Sequence, residues 1–548
     1  MELSYASGIS SIPLKGETIG QNLRKIAALF PTKNALICPY QNYKATYSEF
    51  LTQAEDCAKA LIAAGIQRGD RVGIWSANRY EWVIIQYATA LAGAIMVNIN
   101  PGYKEQGLLY ALEQSEIKLL IASARFRKTD YLAILDAIKP DCTHLEQTII
   151  IEHHWNDFIE KGKSVSIEEL HKRENSLDYD DAINIQYTSG TTGLPKGATL
   201  SHHNILNNGF FIGERLKYTE NDIVCLPVPF YHCFGMVLGN LAITTHGACI
   251  VISGEAFEAE TVLQIVEQEK CTSLYGVPTM FIAELEVPNF DKYDFSSLRT
   301  GIMAGSPCPI DTMKKVQSLM NITEICVCYG MTETSPVSTQ SSTNDPLELR
   351  VSTVGTVHPH VEIKIINPET GATVPRGERG EICTRGYSVM LRYWNNPEET
   401  NHIIDENRWL HTGDVAVMDE AGYVSIVGRI KDLIIRGGEN ISPKEIEDFL
   451  MTVPGVTDAQ VIGVYSQRYG EEMMAWIKRA PQSSITGEDI TAFCRGKIAT
   501  FKIPKFWKFV DEFPMTVTGK IRKVDMREIS EKELGLDILR KEQLLYTH

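Results

Sequence analysis

Between Thr46 and Asn100 the chain alternates helix and strand, and this restricts the possible folds more than any other feature. Thr46-Tyr-Ser-Glu49 has the form of a capping box, and an apolar-periodic run (Phe50, Leu51, Ala54, Ala58, Leu61, Ile62) follows it as far as Gly65. A short strand at 71–76 comes next, then a helix over 79–91, then an apolar strand at 94–97 closed by Asn100-Pro101-Gly102. Strand, helix, strand points to a parallel sheet covered by helices. Similar units recur at 118–121, 183–187, 248–252 and 273–275, so the spacing predicts an α/β body of about 430 residues.

Towards the end of that body the texture changes to Gly-rich turns and short strands from Gly377 to Ile426, through Gly380-Glu-Ile-Cys-Thr-Arg-Gly386. Beyond it, Ala459 to Tyr465 and Met474 to Ile477 read as strands of a separate small α+β unit. The expected division is therefore 1–430, a large body of helix-covered sheets with a β-rich subdomain, and 431–548, a small C-terminal domain. A length of 548 residues agrees, since about 150 residues per domain suggests roughly three or four domains or subdomains.

Composition excludes several classes. Apolar residues are 44 % and charged residues 22 %, ordinary for a globular protein and wrong for disorder, collagen or coiled coil. Asp plus Glu exceed Lys plus Arg by 69 to 53, a net charge of −16, which argues against a nucleic-acid surface as the main business of the chain. No stretch approaches the roughly 20 apolar residues of a membrane span. The start, Met1-Glu-Leu-Ser-Tyr-Ala, lacks a charged n-region and an apolar h-region, so a cytoplasmic location is expected. The twelve cysteines are scattered, and Cys326 and Cys328 are closer together than zinc-site spacing allows, so reduced and mostly buried thiols are expected.

The segment richest in chemistry is Tyr187-Thr-Ser-Gly-Thr-Thr-Gly-Leu-Pro-Lys-Gly197, placed after the apolar strand around Ile185. Gly190 and Gly193 allow a tight backbone that presents N–H groups, while Thr188, Ser189, Thr191, Thr192 and Lys196 supply hydroxyl and ammonium donors. Such a loop suits a polyphosphate. It is not a Walker A loop, because Pro195 precedes Lys196 and Gly197 follows it.

This loop resembles the phosphate-binding signature of the adenylate-forming superfamily, which includes acyl-CoA synthetases, luciferases and peptide-synthetase adenylation domains. The likeness covers nearly the whole chain, because further signatures stand in the family's order: Tyr329-Gly-Met-Thr-Glu-Thr334, Trp409-Leu-His-Thr-Gly-Asp414, Gly428-Arg-Ile-Lys-Asp-Leu-Ile-Ile-Arg-Gly-Gly-Glu-Asn-Ile-Ser-Pro443 and Pro514-Met-Thr-Val-Thr-Gly-Lys520. The resemblance implies ATP, Mg²⁺ and coenzyme A as the ligands. It puts the ring of Tyr329 on adenine with Gly330 beside it, Thr332 on the α-phosphate and Glu333 as the metal ligand, roles that suit an aromatic face and a hard oxygen donor. It places Gly305 and Ser306 along the adenine, and Asp414 and Arg429 at the ribose, as an acceptor pair and a planar cation can serve. Lys520 would bridge carboxylate and ribose during adenylation, Lys431 would be the hinge of a mobile small domain, and Gly438 would lie beside the pantetheine.

Family enzymes first expel pyrophosphate from ATP to make an acyl-adenylate, then pass the acyl group to a thiol. Asn98-Ile-Asn-Pro-Gly-Tyr103 and Pro227-Val-Pro-Phe-Tyr-His-Cys-Phe-Gly235 are most similar to medium-chain fatty-acyl-CoA synthetases, which implies His232 at the acyl site and Tyr275-Gly-Val-Pro-Thr-Met280 along the pocket. Neither the histidine segment nor the pocket segment carries a lysine or arginine, which favours a fatty or aryl acid over an amino acid or dicarboxylate. Only 28 residues (548 minus 520) follow Lys520, which favours free coenzyme A over a fused carrier domain, although a separate carrier protein stays open as acceptor. A luciferase-like oxygenase shares the motifs and also stays open; the oligomeric state, a homodimer included, is unspecified.

Overall fold

The computed structural model describes residues 2–188, 194–306, 308–436, 439–515 and 521–537. The expected opening unit is present. Thr46 accepts from the Glu49 backbone N–H while the Glu49 carboxylate accepts from the Thr46 backbone, and the helix Tyr47–Ala63 runs from that cap. Gly65, at φ +85°, turns the chain out of it. Strand Arg71–Trp75, helix Tyr80–Ala92 and strand Ile95–Asn98 follow, with the two strands parallel and paired from Arg71 opposite Ile95 to Ile74 opposite Asn98. Helix Tyr80–Ala92 is buried on nearly every face, so apolar residues surround it rather than forming one stripe, and its buried Glu81 and Gln86 are hydrogen-bonded to Arg79 and Asn240.

Two seven-stranded sheets make up the body. One sheet is centred on Arg71–Trp75, Ile95–Asn98 and Ala182–Thr188; the other on Ile223–Leu226, Cys249–Ile252 and Ser273–Gly276. Both depart from a purely parallel order at their edges: Lys196–Ser201 runs antiparallel to Ala182–Thr188, and Tyr43–Thr46 antiparallel to Asn34–Cys38. The first of these departures ends with Thr188 opposite Lys196, which fixes the described residues flanking the Gly/Thr-rich signature.

The β-rich part is a five-stranded antiparallel sheet, ordered Tyr5–Ser7, Val361–Ile366, Gly380–Gly386, Leu410–Met418 and Val424–Arg429. It begins earlier than the texture of the sequence suggests, because Val361–Ile366 pairs with Gly380–Gly386 and also recruits Tyr5–Ser7 from the start of the chain. Past Arg429 a single 3₁₀ turn, Ile430–Asp432, leads into a further sheet built on Val456–Ser466 and Gly470–Arg479, with Phe506–Phe509 parallel on its edge. That sheet has its own buried apolar cluster, including Ile434, Ile446, Leu450, Val461, Ala475 and Ile490. All twelve cysteines are free and nine are buried, as expected of reduced thiols. Among the described residues no helix is long and apolar enough to cross a membrane.

Candidate active site

Strand ends and short turns bring four of the sequence signatures together. Asp414 lies on Leu410–Met418 and Arg429 on Val424–Arg429, and the antiparallel register sets them opposite each other. Arg429 Nε donates to Asp414 Oδ1 at 2.8 Å, and the Tyr329 hydroxyl donates to Asp414 Oδ2 at 2.7 Å. The Asp414 side chain is 8 % exposed, and both of its oxygens are held by donors inside the protein. Burial and the neighbouring Asp414 charge both raise the Tyr329 phenol above its ordinary value. For Arg429, burial alone would lower the guanidinium, but the charges of Asp414, Asp432 and Tyr329 and the hydrogen bond to Asp414 together outweigh it, and the net direction is up.

Four residues on from Tyr329, Glu333 sits in the 3₁₀ turn Thr332–Thr334 and is buried. The Tyr393 hydroxyl donates to Glu333 Oε1 at 2.7 Å, and the Met390 N–H donates to the Glu333 carbonyl at 2.9 Å. Lys196 joins this cluster: its Nζ lies 5.4 Å from the centroid of the Tyr393 ring and forms an ion pair with Glu399. The Lys196 hydrogen bond holds the Glu399 carboxyl below its usual range, with the charge of Lys431 adding in the same direction. Tyr329, Glu333, Lys196, Asp414 and Arg429 thus form two linked groups joined through one short segment. Acceptors suited to a sugar lie at one end, and a buried carboxylate with a lysine lies at the other.

The structure also explains two glycines of the site. A Cβ on Gly330 would lie 1.7 Å from the Pro336 carbonyl oxygen, so the segment that carries Tyr329 and Glu333 can close only on bare backbone. Gly305 adopts φ +91°, and a Cβ there would also crowd Val277 Cγ1 at 3.2 Å. Ser306 is exposed beside it. Thr332 is partly buried at the start of its turn, and Thr188 Oγ1 donates to the Lys196 carbonyl at 3.3 Å, closing the hairpin. His232 is partly buried, its ring 4.2 Å from that of Tyr231, just before the π-helical segment Phe234–Leu241. Lys431 lies in the 3₁₀ turn directly after Arg429. Ser189, Gly190, Thr191, Thr192, Gly193, Gly438 and Lys520 lie outside the described residues.

Three residues escaped the sequence reading. Tyr393 and Glu399 lie between the 329–334 and 409–414 signatures without belonging to either, and the nearby local signal is Asn396-Pro397, where the Asn396 side chain caps helix Pro397–Ile403. Glu381 lies on Gly380–Gly386; its Oε1 accepts from the Gly413 N–H at 2.9 Å and its Oε2 pairs with His411 Nδ1 at 3.0 Å. It therefore buttresses the turn that presents Asp414.

The Asp414–Arg429 pair and the group of Glu333, Tyr393 and Lys196 are thus both tied to segment 329–334, in a chain whose relatives are adenylate-forming enzymes. The chain belongs to the AMP-binding enzyme family: that family's model matches residues 23–394, and the model of the AMP-binding enzyme C-terminal domain matches 445–520. A putative acyl-CoA synthetase, YngI of Bacillus subtilis, is 46 % identical over 531 residues, spanning 93 % of this chain and 96 % of the relative. The zebrafish (Danio rerio) mitochondrial medium-chain acyl-CoA ligase ACSF2 is 43 % identical over 557 residues, spanning 97 % of this chain and 91 % of its own length. Among solved structures, the anthranilate CoA ligase AuaEII in complex with anthranoyl-AMP superposes with a TM-score of 0.81 at 27 % identity, covering 94 % of this chain and 98 % of that one. ATP-bound MatB from Rhodopseudomonas palustris gives 0.80 at 29 % identity over 94 % and 99 %.

Proposed function

We propose that this protein is an AMP-forming acyl-CoA synthetase acting on medium-chain fatty acids. A carboxylate and MgATP give acyl-AMP and pyrophosphate, and the thiol of coenzyme A then gives acyl-CoA and AMP. The observation that supports this most directly is the convergence of Lys196, Glu333, Asp414 and Arg429, from four separate signatures, around the single segment 329–334.

The residues present fit the substrate. Asp414 keeps lone pairs for the ribose hydroxyls, and Glu333 is a hard, buried oxygen donor of the kind Mg²⁺ takes. Lys196 is a cation that the phosphates can draw away from Glu399. The carboxylate needs this activation because its oxygen is a poor leaving group; attack on the α-phosphate converts that oxygen into part of AMP. A cation of Lys520's kind, set between two anions that repel, is typically worth about 10² to 10³ in rate. The acid preference rests on the uncharged acyl segments and on the names of the relatives. Each buried CH₂ contributes about 0.8 kcal/mol, so several methylenes separate octanoate from acetate by on the order of 10² or more in kcat/KM.

The division near residue 430 fits two half-reactions served by one site, with the small domain turning about Lys431. Lys520→Ala then slows pyrophosphate release from acid and ATP by about 10² to 10³ but largely spares CoA attack on supplied acyl-AMP, while Gly438→Leu does the reverse.

The deciding experiment is an ATP-to-AMP and pyrophosphate assay with CoA over acetate, octanoate, palmitate, benzoate and an amino acid. Formation of ADP and phosphate defeats the reaction assigned, and a flat or reversed chain-length profile defeats the medium-chain reading. Oxygen consumption with light on adding ATP and acid would make the protein luciferase-like instead.

A further inference from the structure

We propose that Glu381, Cys383 and His411 form a binding site for a divalent transition-metal ion of the zinc class, apart from the Mg²⁺ that accompanies ATP. Glu381 and Cys383 are two residues apart on strand Gly380–Gly386, so their side chains share one face. The register sets His411, on Leu410–Met418, opposite Cys383. The three ligand atoms all lie within 4.8 Å of one another. His411 Nδ1 is 3.0 Å from Glu381 Oε2 and 3.7 Å from Cys383 Sγ. With metal–ligand bonds of about 2.0–2.3 Å, the edges of a tetrahedral zinc site are roughly 3.3–3.6 Å, so two of the three edges are already near the required length.

The surroundings suit an ion of this type. Cys383 and Glu381 are buried, whereas the His411 side chain is 31 % exposed and leaves a way in from solvent. The other edge of the imidazole faces Asp405, whose Oδ2 is 3.8 Å from Nε2, beyond hydrogen-bond length but near enough for its charge to favour a cation at the site. Lys364 is the register partner of Cys383 and lies with its ammonium 4.5 Å from the Trp409 ring centroid. It opposes an ion in charge, and Asp405 offsets it. On binding, the thiol proton of Cys383 leaves to solvent and the imidazole proton of His411 passes from Nδ1 to Nε2, leaving a neutral ligand; water supplies the fourth ligand. One thiolate, one imidazole and one carboxylate select a borderline ion over Mg²⁺ or Ca²⁺. Since Glu381 also holds the Gly413 N–H, the ion would clamp the turn leading to Asp414.

The test is titration of the full-length protein with Co²⁺, read by the thiolate-to-cobalt charge-transfer absorption in the near ultraviolet, followed by displacement with Zn²⁺. One Co²⁺ per chain, a charge-transfer band lost in Cys383→Ser, and an affinity at least about tenfold weaker in His411→Asn are the expected results. Absence of the band in the wild-type protein, or its survival in Cys383→Ser, overturns the site. Should Cys383→Ser not fold, His411→Asn decides: wild-type affinity in that variant overturns it equally.

Discussion

Asp414→Asn tests the proposed ribose contact cleanly, because the amide can keep the contacts inside the protein while losing the charged acceptor that a ribose would use. In the native protein Oδ1 accepts from Arg429 and Oδ2 from the Tyr329 hydroxyl. Asparagine offers one carbonyl oxygen, which Arg429 can keep, and one NH₂, to which the rotatable phenol can present a lone pair. Arg429 is 43 % exposed, so solvent compensates much of its lost partner and the fold should survive. A ribose hydroxyl, however, loses a charged acceptor. A hydrogen bond to a charged group is worth about 1.5–3 kcal/mol, which corresponds to roughly a 10- to 150-fold fall in kcat/KM for ATP. The KM for the acid should stay nearly constant. The assay is acid-dependent pyrophosphate release with ATP, 2′-deoxy-ATP and 3′-deoxy-ATP, and the variant should lose the preference for the ribonucleotide. A folded Asp414→Asn protein that keeps ATP efficiency within about threefold, or full discrimination against both deoxy analogues, would refute the reasoning.

Gly330→Ala should reduce adenylation by on the order of 10² without unfolding the body, since a Cβ set 1.7 Å from the Pro336 oxygen must push aside the segment that holds Tyr329 and Glu333; wild-type pyrophosphate release would contradict this. Glu399→Gln should lower the KM for ATP, because Lys196 then no longer leaves an ion pair to meet the phosphates; Glu399 is 37 % exposed, which bounds the pair at about 1 kcal/mol and the gain at roughly fivefold. A raised KM in initial-rate measurements would show that the pair places Lys196 for ATP instead of competing with it. His202 is fully buried and its Nδ1 accepts from the Ile19 N–H, and burial lowers its pKa from 6.5 to about 4. The unfolded chain takes a proton below pH 6.5 that the folded protein refuses until about pH 4, so stability falls as pH drops through that window, by up to about 3 kcal/mol. His202→Gln keeps an acceptor and should flatten this slope in urea midpoints measured from pH 7 to 4; an unchanged slope would assign it elsewhere.

Local rules carried much of the architecture. A cap, an amphipathic period and a terminating glycine are all contained within 20 residues at Thr46 to Gly65, so the helix and the strands after it could be read directly from the order of residues. The five signatures were legible for the same reason, because each is a short continuous run whose residue types suggest a chemistry without reference to distant segments. The contacts that complete the site are of another kind. Tyr393 reaches Glu333 across 60 residues, Glu399 reaches Lys196 across 203, and Tyr5–Ser7 closes a sheet against Val361–Ile366. No local period or turn encodes such a pair. The same holds for Glu381, Cys383 and His411, whose ligand spacing is wrong along the chain and right only across two antiparallel strands. The sequence by itself determined the class of elements, the motif order and the nucleotide chemistry, because these depend on residues that are neighbours in the chain. Tertiary structure alone decided which donors hold Asp414 and Glu333 and which strands share a sheet, because sheet register and side-chain approach arise from packing between segments far apart in sequence.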